Sequence, residues 1–512
     1  MQHGGDDSGT IGFMPPGSSE QRDDGEHRFA VAPVSPRELP DDNPLIGRLV
    51  VLLVLGVVGA IGAFTAAIGQ FFASRLDVEP ASSVDVGRVT LLVSEELPPE
   101  SLIAIAMLSM VGIAASALAL EAIAALMSVN PRRTMLSSHR PQLRRQSIAG
   151  DPVRVTVLIP AHNEMRSLPI TLQALTQQTR PPDRIVVVAD NCTDATVDVA
   201  RSMGHEVFET TDNSYRKGGA LNQALARLLP TSGTQDIVMV MDADTTLSSR
   251  FVEVGAAHMI ADPNLTAVGG VFYGDPGHGL VGQFQRNEYA RYALQIRARR
   301  GRVFVLTGTA SMFRAEALLD VAAARGVFIP GTPGNVYDTA ALTEDNELTL
   351  ALKSLGGTMT SPSECRDTTE IMPTWRNLWV QRKRWQRGAL ENLSAYGVTR
   401  ATIRYWGQQI GIGYGAIALN LALLLMLITF ASVDEWIWYP FWVAIGVVFV
   451  TERVVTAWSG GWRARLLAAL VLPELLYDVF LQIVFFSSLM DILRRRRAVL
   501  GHVKHVDAPV AT

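Results

Sequence analysis

The chain has 512 residues, 48% of which are hydrophobic, and a formal net charge of -4 at pH 7. Its mean hydropathy of +0.19 and pI near 6.2 exclude an ordinary soluble protein and a general nucleic-acid binder. Two cysteines, Cys192 and Cys365, are too few for a disulfide framework or a cysteine metal site, and they favour a reduced, cytosolic setting. The length allows two or three domains.

The N-terminal part of the chain predicts a disordered tail followed by two membrane helices. Residues 1–44 are rich in Gly, Asp, Pro and Ser and have almost no apolar periodicity, which predicts disorder. Within residues 45–130, the apolar runs 46–73 and 101–129 are each long enough to cross a bilayer, and the first follows a polar tail as a retained anchor would. An acidic loop separates the runs and an arginine-rich segment follows them, which places the residues after 130 in the cytoplasm.

Residues 150–405 alternate between short β-rich runs and helical stretches. The predicted strands cover 153–159, 184–189, 237–241 and 302–306, and helical spacing occurs at 167–178 and 218–229. This alternation predicts a doubly wound α/β domain that binds its ligands at the carboxyl ends of the strands. We expect the domain to be cytosolic and to end in interfacial helices.

The C-terminal segment 406–492 predicts further membrane helices, but their number is open. Apolar runs cover 408–431, 436–457 and 465–490, and a basic segment, 493–512, follows them. Three spans would place Arg494–Arg497 outside the cell, against the lysine/arginine bias that a cytoplasmic tail requires. Glu474, Asp478 and Gln482 recur every four residues on one face of the last run. Such a stripe lines an aqueous channel, makes the helix lie in the membrane interface, or is satisfied within the helix bundle.

Carboxylates follow two of the predicted strands. Asp242 and Asp244 form a D-x-D triplet after 237–241 and can share a hard divalent cation with phosphate oxygens and water, although turn formation explains such a triplet equally well. Asp190 follows 184–189 and is placed to accept the imide N–H of a uracil. The alternative for Asp190 is a helix N-cap, a role that Asp194 or Thr193 would fill as well.

Three further motifs combine charge, small residues and aromatic rings. Lys217 and two glycines open a helix, where backbone N–H groups meet anions, without forming a P-loop. The small-residue turn 307–310, which contains Thr309, packs against an acceptor sugar or only within the protein. Residues 343–345 read T-E-D and residues 381–385 read Q-x-x-R-W, a combination that suits a sugar stacked on indole with its anionic leaving group held by arginine.

Together these motifs resemble the membrane-embedded members of glycosyltransferase family 2. The segments 189–194, 342–348 and 374–388 resemble best the poly-N-acetylglucosamine synthase-like processive enzymes, which are related to cellulose, hyaluronan and chitin synthases. The resemblance implies a glycosyltransferase A-type domain, Rossmann-like and doubly wound, inserted between the transmembrane helices of a multi-pass protein. Ala161-His162 departs from the threonine or serine and tyrosine of many relatives, so a stacking contact to uracil is in doubt.

The resemblance also implies roles for residues at matching positions. Asp345 would be the general base, with Glu344 as its catalytic neighbour. Arg384 would neutralise the departing diphosphate, and Trp385 would stack on the acceptor sugar. The remaining predicted contacts are to the donor and acceptor (Glu164, Asp190, Lys217, Asp242, Gln381 and Thr309) and to a Mg²⁺ or Mn²⁺ ion (Asp242 and Asp244, with Asp244 as the more direct ligand).

The implied function is inverting, metal-dependent transfer of a hexose or N-acetylhexosamine from a UDP-sugar to a growing β-linked polysaccharide. Processive synthesis would be coupled to export across the plasma membrane, with the catalytic domain in the cytoplasm. Its partners would be the UDP-sugar donor, a glycan or lipid acceptor, membrane lipids and an accessory export or regulatory subunit, but no nucleic acid. The alternatives are an enzyme that adds one sugar to a lipid or short acceptor and, from another class, a transporter with a nucleotide-binding domain.

Overall fold

The computed structural model describes residues 82–86, 89–93, 153–299, 301–432, 435–438 and 440–494. The tail predicted at 1–44, the apolar runs 46–73 and 101–129 and the basic segment from 495 onward lie outside the described residues. Strands β1 (Ser82–Val86) and β2 (Val89–Val93) form an antiparallel hairpin in the segment between the two N-terminal runs.

From Val155 the chain alternates strands and helices, as the sequence predicts. In chain order these elements are β3 (Val155–Ala161), α1 (Leu168–Thr176), β4 (Arg184–Ala189), α2 (Thr196–Ser202), β5 (Glu206–Glu209), α3 (Arg216–Leu228), β6 (Ile237–Met241), β7 (Thr246–Leu247), α4 (Phe251–Ala261), β8 (Leu265–Gly269), β9 (Val271–Gly274), α5 (Gly279–Ala298), β10 (Ala310–Arg314), α6 (Ala315–Ala324), α7 (Glu344–Ser354), β11 (Thr358–Thr360), β12 (Arg366–Thr369) and α8 (Trp375–Tyr396). A short 3-10 helix, Leu229–Thr231, follows α3.

The central sheet has seven strands in the order β11-β8-β10-β6-β3-β4-β5. Strands β3 to β6 are mutually parallel neighbours, whereas β10 runs antiparallel to both β6 and β8. The fold is therefore α/β, of the glycosyltransferase A-like kind, with a mixed sheet. A second sheet, β7-β12-β9, has three strands.

The predicted strand at 302–306 is wrong. Within this segment only Arg302 makes an isolated bridge, to Thr360, and the true strand is β10, from Ala310 to Arg314. The apolar side chains of Val303 and Leu306 are buried in the core although their backbone is irregular, and Leu306 N–H donates to Thr349 Oγ1 at 2.9 Å. Short apolar runs are buried both in core strands and in packed loops, so the sequence of residues 302–306 does not distinguish the two.

Helices cover both faces of the central sheet. On β3, Leu158 points to the layer formed by α3, α6 and α7, where it packs with Leu221 and Leu318. Its neighbours Val157 and Ile159 point to the other layer and pack among residues of α1 and α4, such as Leu172 and Phe251. Successive strand residues face opposite sides of a sheet, so burial on both faces makes these strands read as continuous apolar runs.

A buried ion pair fixes the start of α7 against the loop before it. Arg325 donates through both terminal nitrogens to the Glu347 carboxylate, and it also bonds Pro330 O at 2.8 Å and Val336 O at 2.6 Å. The Tyr396 hydroxyl of α8 donates to the same carboxylate. The side chains of Arg325 and Glu347 are 0% and 2% exposed, so their charges are compensated by one another and not by water.

The C-terminal part is helical, with one additional strand. It comprises α9 (Ile403–Ser432), β13 (Glu435–Trp438), α10 (Pro440–Thr456), a 3-10 helix (Trp458–Gly460), α11 (Gly461–Ala469) and α12 (Val471–Leu493). Strand β13 pairs in parallel with β2, which gives the three-stranded sheet β1-β2-β13. Among the helices whose side chains are described throughout, α12 alone has the length and hydropathy of a membrane-crossing helix, so the multi-pass arrangement stays a prediction.

The polar stripe on α12 is satisfied within the helix bundle. Arg291 of α5 donates to both oxygens of Glu474 at 2.6 Å, and Arg453 of α10 donates to Asp478 at 3.1 Å. Gln482 accepts a hydrogen bond from Asn420 of α9. These contacts give all three polar side chains of the stripe protein partners, as the third alternative predicts.

We predict that Glu347→Gln lowers stability strongly, by about 3–5 kcal/mol, because it leaves the Arg325 guanidinium buried without a counter-charge. The thermal unfolding midpoint of the purified protein measures the effect. The double variant Arg325→Met/Glu347→Leu should lose less stability than Glu347→Gln, since neither buried charge remains. Glu209→Gln is the matched control, because its salt bridge with Arg201 is more than half exposed and should contribute little. A Glu347→Gln protein as stable as the control would contradict this account.

Candidate active site

The predicted site residues converge at the carboxyl ends of the parallel strands. Asp190 follows β4 and Asp242 follows β6, while the loop that precedes β10 runs beside them, with Asp242 N–H donating to Thr309 O at 2.9 Å. Helices α3 and α7 bring Lys217 and the T-E-D segment to the same edge. This is the edge at which open α/β sheets bind ligands.

An ammonium group joins two of the carboxylates. Lys217 Nζ lies 2.7 Å from Asp242 Oδ1 and 3.0 Å from Glu344 Oε1. Burial by itself would lower the pKa of Lys217, but the charges of Asp242 and Glu344 outweigh it and raise the pKa well above its usual value. For Glu344, burial acts to raise the pKa, yet Lys217, assisted by Arg384, lowers it overall. At neutral pH both partners are therefore charged.

Asp345 is held by two backbone N–H groups. Its Oδ2 accepts from Gly308 N at 3.1 Å and its Oδ1 accepts from Asn346 N at 2.7 Å. Burial and the neighbouring Glu344 charge raise the pKa of Asp345 to about 6, although Lys217 opposes them. A carboxylate fixed in position, with a pKa below but near neutrality, is suited to accept a proton.

Helix α8 is docked directly on the T-E-D segment. Gly388 packs so closely on Thr343 that an added Cβ would lie 2.5 Å from Thr343 Oγ1. Asn392 Nδ2 donates to Thr343 O at 3.2 Å and to Asn346 Oδ1 at 3.0 Å. The glycine and the asparagine thus fix the Q-x-x-R-W helix beside Asp345.

Within that helix the two arginines of the motif have different environments. Arg382 is buried, donates to Gln381 Oε1 and to Glu288 Oε2, each at 2.9 Å, and lies 4.3 Å from the centre of the Trp385 ring. Arg384 is exposed, and its charge reaches Glu344. Arg382 therefore contacts the glutamine and the tryptophan of the motif, whereas Arg384 is exposed close enough to Glu344 to lower the pKa of that carboxyl. The sequence analysis assigned a role to Arg384 alone and gave none to Arg382.

The other two tryptophans of α8 pack on α12. Trp375 lies 5.3 Å and Trp379 lies 5.9 Å from Phe480, measured between ring centres. Trp375 remains 42% exposed, which is compatible with the predicted location of this helix at a membrane surface.

Asp190 lies in a polar cradle formed by asparagines. Its Oδ1 accepts from Thr210 Oγ1 at 2.9 Å, from Asn213 Nδ2 at 2.8 Å and from Asn191 Nδ2 at 3.1 Å. Within the described part of the chain no donor is bonded to Oδ2, so this oxygen is available to a ligand. His162 contacts the Asp190 carbonyl oxygen through Nδ1 at 2.6 Å.

The Glu164 side chain is hydrogen-bonded within the turn that precedes α1. Its carboxylate accepts from Ser167 Oγ, and its N–H donates to Thr196 Oγ1 at 2.8 Å. Asp194, the alternative cap, does bond at the start of α2, where its Oδ1 accepts from Thr196 N at 3.0 Å. This contact leaves Asp190 free of a capping role.

Sequence reasoning missed Asn213 and Asp367. The sequence feature that could have pointed to Asn213 is the glycine at 219. A Cβ at this position would lie 2.1 Å from Asn213 Oδ1, so only glycine fits beside it. Asp367 on β12 is 1% exposed, and burial raises its pKa to about 7, with the Asp242 charge acting in the same direction and the Thr309 hydroxyl opposing it. Thr309 Oγ1 is buried close to the Asp367 carboxylate, and both alternatives for Thr309 stay open.

The D-x-D carboxylates fit a divalent cation only in part. Asp242 Oδ1 is paired with Lys217, and Asp244 Oδ1 accepts from Thr245 Oγ1 at 3.3 Å. Among the described residues no group of three or more His, Cys, Asp or Glu side chains could enclose a metal. Two adjacent carboxylates are sufficient for Mg²⁺ or Mn²⁺ when nucleotide phosphates and water complete the coordination sphere. The expectation that Asp244 is the more direct metal ligand stays a prediction.

Comparison with known proteins defines the class of this domain. Residues 152–388 match the family described as "Glycosyltransferase like family 2". "Probable glycosyltransferase YdaM" of Bacillus subtilis is 28% identical over 248 residues, which are 46% of this chain and 55% of that protein. "Poly-beta-1,6-N-acetyl-D-glucosamine synthase" of Staphylococcus epidermidis is 23% identical over 250 residues, 47% of this chain and 55% of that protein. The chain spans about half the length of the curated relatives it matches.

A solved structure with a similar chain course is "Mannosyltransferase PcManGT from Pyrobaculum calidifontis in complex with GDP-Man and Mn2+". It is 18% identical, with a TM-score of 0.44 over 75% of this chain and 99% of its own. At that score we draw no conclusion from it.

Residues 152–388 therefore form a glycosyltransferase family 2 domain, with distant homology to poly-β-1,6-N-acetylglucosamine synthase. The predicted family resemblance is confirmed to that extent.

Proposed function

We propose that the protein is an inverting, metal-dependent glycosyltransferase that extends a β-linked polysaccharide from a UDP-sugar donor. The observation that carries the proposal is the position of Asp345, which is held by two backbone N–H groups beside the Lys217–Asp242–Glu344 cluster. Asp345 removes the proton of the acceptor hydroxyl as that oxygen attacks the anomeric carbon. Because a single carboxylate acts as base and no enzyme nucleophile is needed, the anomeric configuration inverts.

The remaining residues hold the donor and the acceptor. Asp190 Oδ2 accepts the uracil imide N–H, and Lys217 exchanges Glu344 for the diphosphate of the donor. Arg384 neutralises the leaving UDP, and Trp385, fixed by Arg382, stacks on the terminal acceptor sugar. Asp244, with Asp242, holds the Mg²⁺ or Mn²⁺ ion, which supplies charge stabilisation for the diphosphate when it is bound.

Processive synthesis with export is the finer part of the proposal. It is supported by the distant homology to a polysaccharide synthase. The membrane-embedded protein, incubated with a panel of labelled UDP-sugars and Mn²⁺ or Mg²⁺, should incorporate one sugar into high-molecular-weight polymer. A short or lipid-soluble product would instead support the alternative, an enzyme that adds one sugar to a lipid or short acceptor. No incorporation from any donor would contradict the proposed function.

We predict that Asp345→Asn abolishes sugar transfer while UDP affinity, measured by calorimetry, changes less than threefold. In the wild type, kcat/KM for the acceptor should fall as the pH drops below about 6, because protonation of Asp345 removes the base. Glu344→Gln removes the negative charge that raises the pKa of Asp345, so the acidic limb of its profile should move to lower pH. An unchanged limb in Glu344→Gln, or retained turnover in Asp345→Asn, would contradict the assignment of the base.

We predict that Mn²⁺ binds weakly alone and at least tenfold more tightly with UDP, because the chain supplies two carboxylates and one of them is paired with Lys217. Titration calorimetry with and without UDP measures how much UDP strengthens Mn²⁺ binding, and Asp244→Asn should remove most of that gain in affinity. Equal affinity in both titrations would point to a complete metal site in the protein itself.

We predict that Gly219→Ala weakens UDP binding at least tenfold, since the new Cβ displaces Asn213 from Asp190. Gly218→Ala is the matched control in the same helix, because its Cβ would meet Tyr337 Cβ at an ordinary 3.7 Å. Similar UDP affinities for the two variants would exclude the Asp190 cradle as part of the nucleotide site.

A further inference from the structure

Both ends of α12 are ion-paired to the glycosyltransferase domain. In the first turn, Glu474 binds Arg291 of α5 at 2.6 Å. Near the last turn, Asp491 binds Lys383 of α8 at 2.7 Å. Helices α5 and α8 lie within, or begin within, the segment 152–388 that matches the glycosyltransferase family.

Between these ends α12 lies alongside α5 and α8. Tyr477 OH donates to Glu288 Oε2 of α5 at 2.7 Å, Phe480 contacts Trp375 and Trp379, and Ser488 Oγ donates to Lys383 O at 3.5 Å. Contacts advance along both α8 and α12 in the same direction, so the two helices are parallel.

A helix in this position does not cross a bilayer. The 23 residues of α12 extend about 35 Å, and a crossing would place its two ends on opposite sides of a core of about 30 Å. The ion pairs at both ends would then require α8 to cross as well. Arginines and lysines throughout α8, at 376, 382, 383, 384 and 387, exclude that arrangement.

The face of α12 that is turned away from the domain is apolar and exposed. Its residues recur at helical spacing and are Leu472, Leu476, Ile483, Met490 and Leu493, which are 43–69% exposed. The preceding α11 region adds the exposed Trp458 and Trp462, with the guanidinium of Arg465 lying 3.8 Å from the ring centre of Trp458. Apolar residues on one face, next to tryptophan and arginine, fit the boundary between acyl chains and anionic headgroups.

Helices α9 and α10 have the opposite arrangement. Helix α9 begins at the domain, where Lys353 Nζ donates to Tyr405 OH at 2.6 Å, and it leads to β13, which pairs with β2. Helix α10 leads back from β13 to Arg453, which binds Glu474 and Asp478. In the contacts that the structure describes, each of these helices meets the domain at one end.

We infer that α12 lies in the plane of the membrane surface, on the side of the catalytic domain, with its exposed apolar face against lipid acyl chains. This inference rests on the membrane location in the proposed function. Helices α9 and α10 are then the C-terminal crossings, and the end of α12 stays on the catalytic side. With two C-terminal crossings instead of three, the topology agrees with the lysine/arginine bias that a cytoplasmic tail requires.

The test is a depth profile by spin labelling in nanodiscs that contain anionic lipid. Single cysteines at 472, 476, 483 and 490 are introduced into a Cys192→Ser/Cys365→Ala background that still transfers sugar. The in-plane helix gives similar depths at all four positions. A crossing helix would place 483 about 16 Å deeper than 472 and would overturn the inference. Labels at 412 and 424 of α9 are the matched control and should differ by about 18 Å.

Two further results complete the test. Labels on α12 that are shielded from lipid-soluble oxygen would show that protein, such as the segments 46–73 or 101–129, covers this face, and they would also overturn the inference. A reporter fused after Thr512 in the otherwise unchanged chain should be found on the catalytic side, whereas the opposite side contradicts an in-plane α12. A wild-type chain that does not sediment with membranes would instead refute the membrane location itself, whatever its sugar-transfer activity.

Discussion

The Lys217 ammonium is the interaction on which the rest of the site depends. It joins Asp242, at the end of β6, to Glu344, at the start of α7, so a residue on α3 holds two elements that are distant in the chain. Without this positive charge, Asp242, Glu344 and Asp345 would place like charges close together in a partly buried cleft, which is strongly unfavourable. The same charge opposes the effects that raise the pKa of Asp345 and keeps that group below neutrality. Structure and acid–base chemistry are thus set by one ion cluster.

The sequence predicted well those features that depend on local patterns. Strands β4 and β6 have the predicted bounds, because residues buried on both sheet faces form continuous apolar runs between turn residues. Asp190, Asp242, Lys217 and Asp345 were expected at one edge of the sheet, and the structure brings them there. Carboxyl ends of neighbouring parallel strands necessarily meet at the same edge, so this part of the site followed from topology.

Other features depend on contacts between distant segments and were not predictable. The segment 302–306 is apolar because it fills the core, but the strand β10 begins only at Ala310, and the chain reverses so that the sheet is mixed. Arg382 and Arg384 differ because Glu288 of α5 lies beside only the first of them. Asp367 is isolated in its sequence, and its proximity to Thr309 follows from the pairing of β12 with β7 and β9. Likewise, composition left open whether α12 spans the membrane, whereas its ionic partners place both of its ends at the domain.

The central claim is that Asp345 acts as the only base in a single displacement at the anomeric carbon. The most direct measurement is the anomeric configuration of the newly formed linkage, determined by nuclear magnetic resonance on product made from an α-linked UDP-sugar. The account predicts a β-linkage, since one carboxylate and no covalent intermediate give inversion. An α-linkage would contradict it, because attack on the anomeric carbon from the side opposite to UDP cannot retain the configuration.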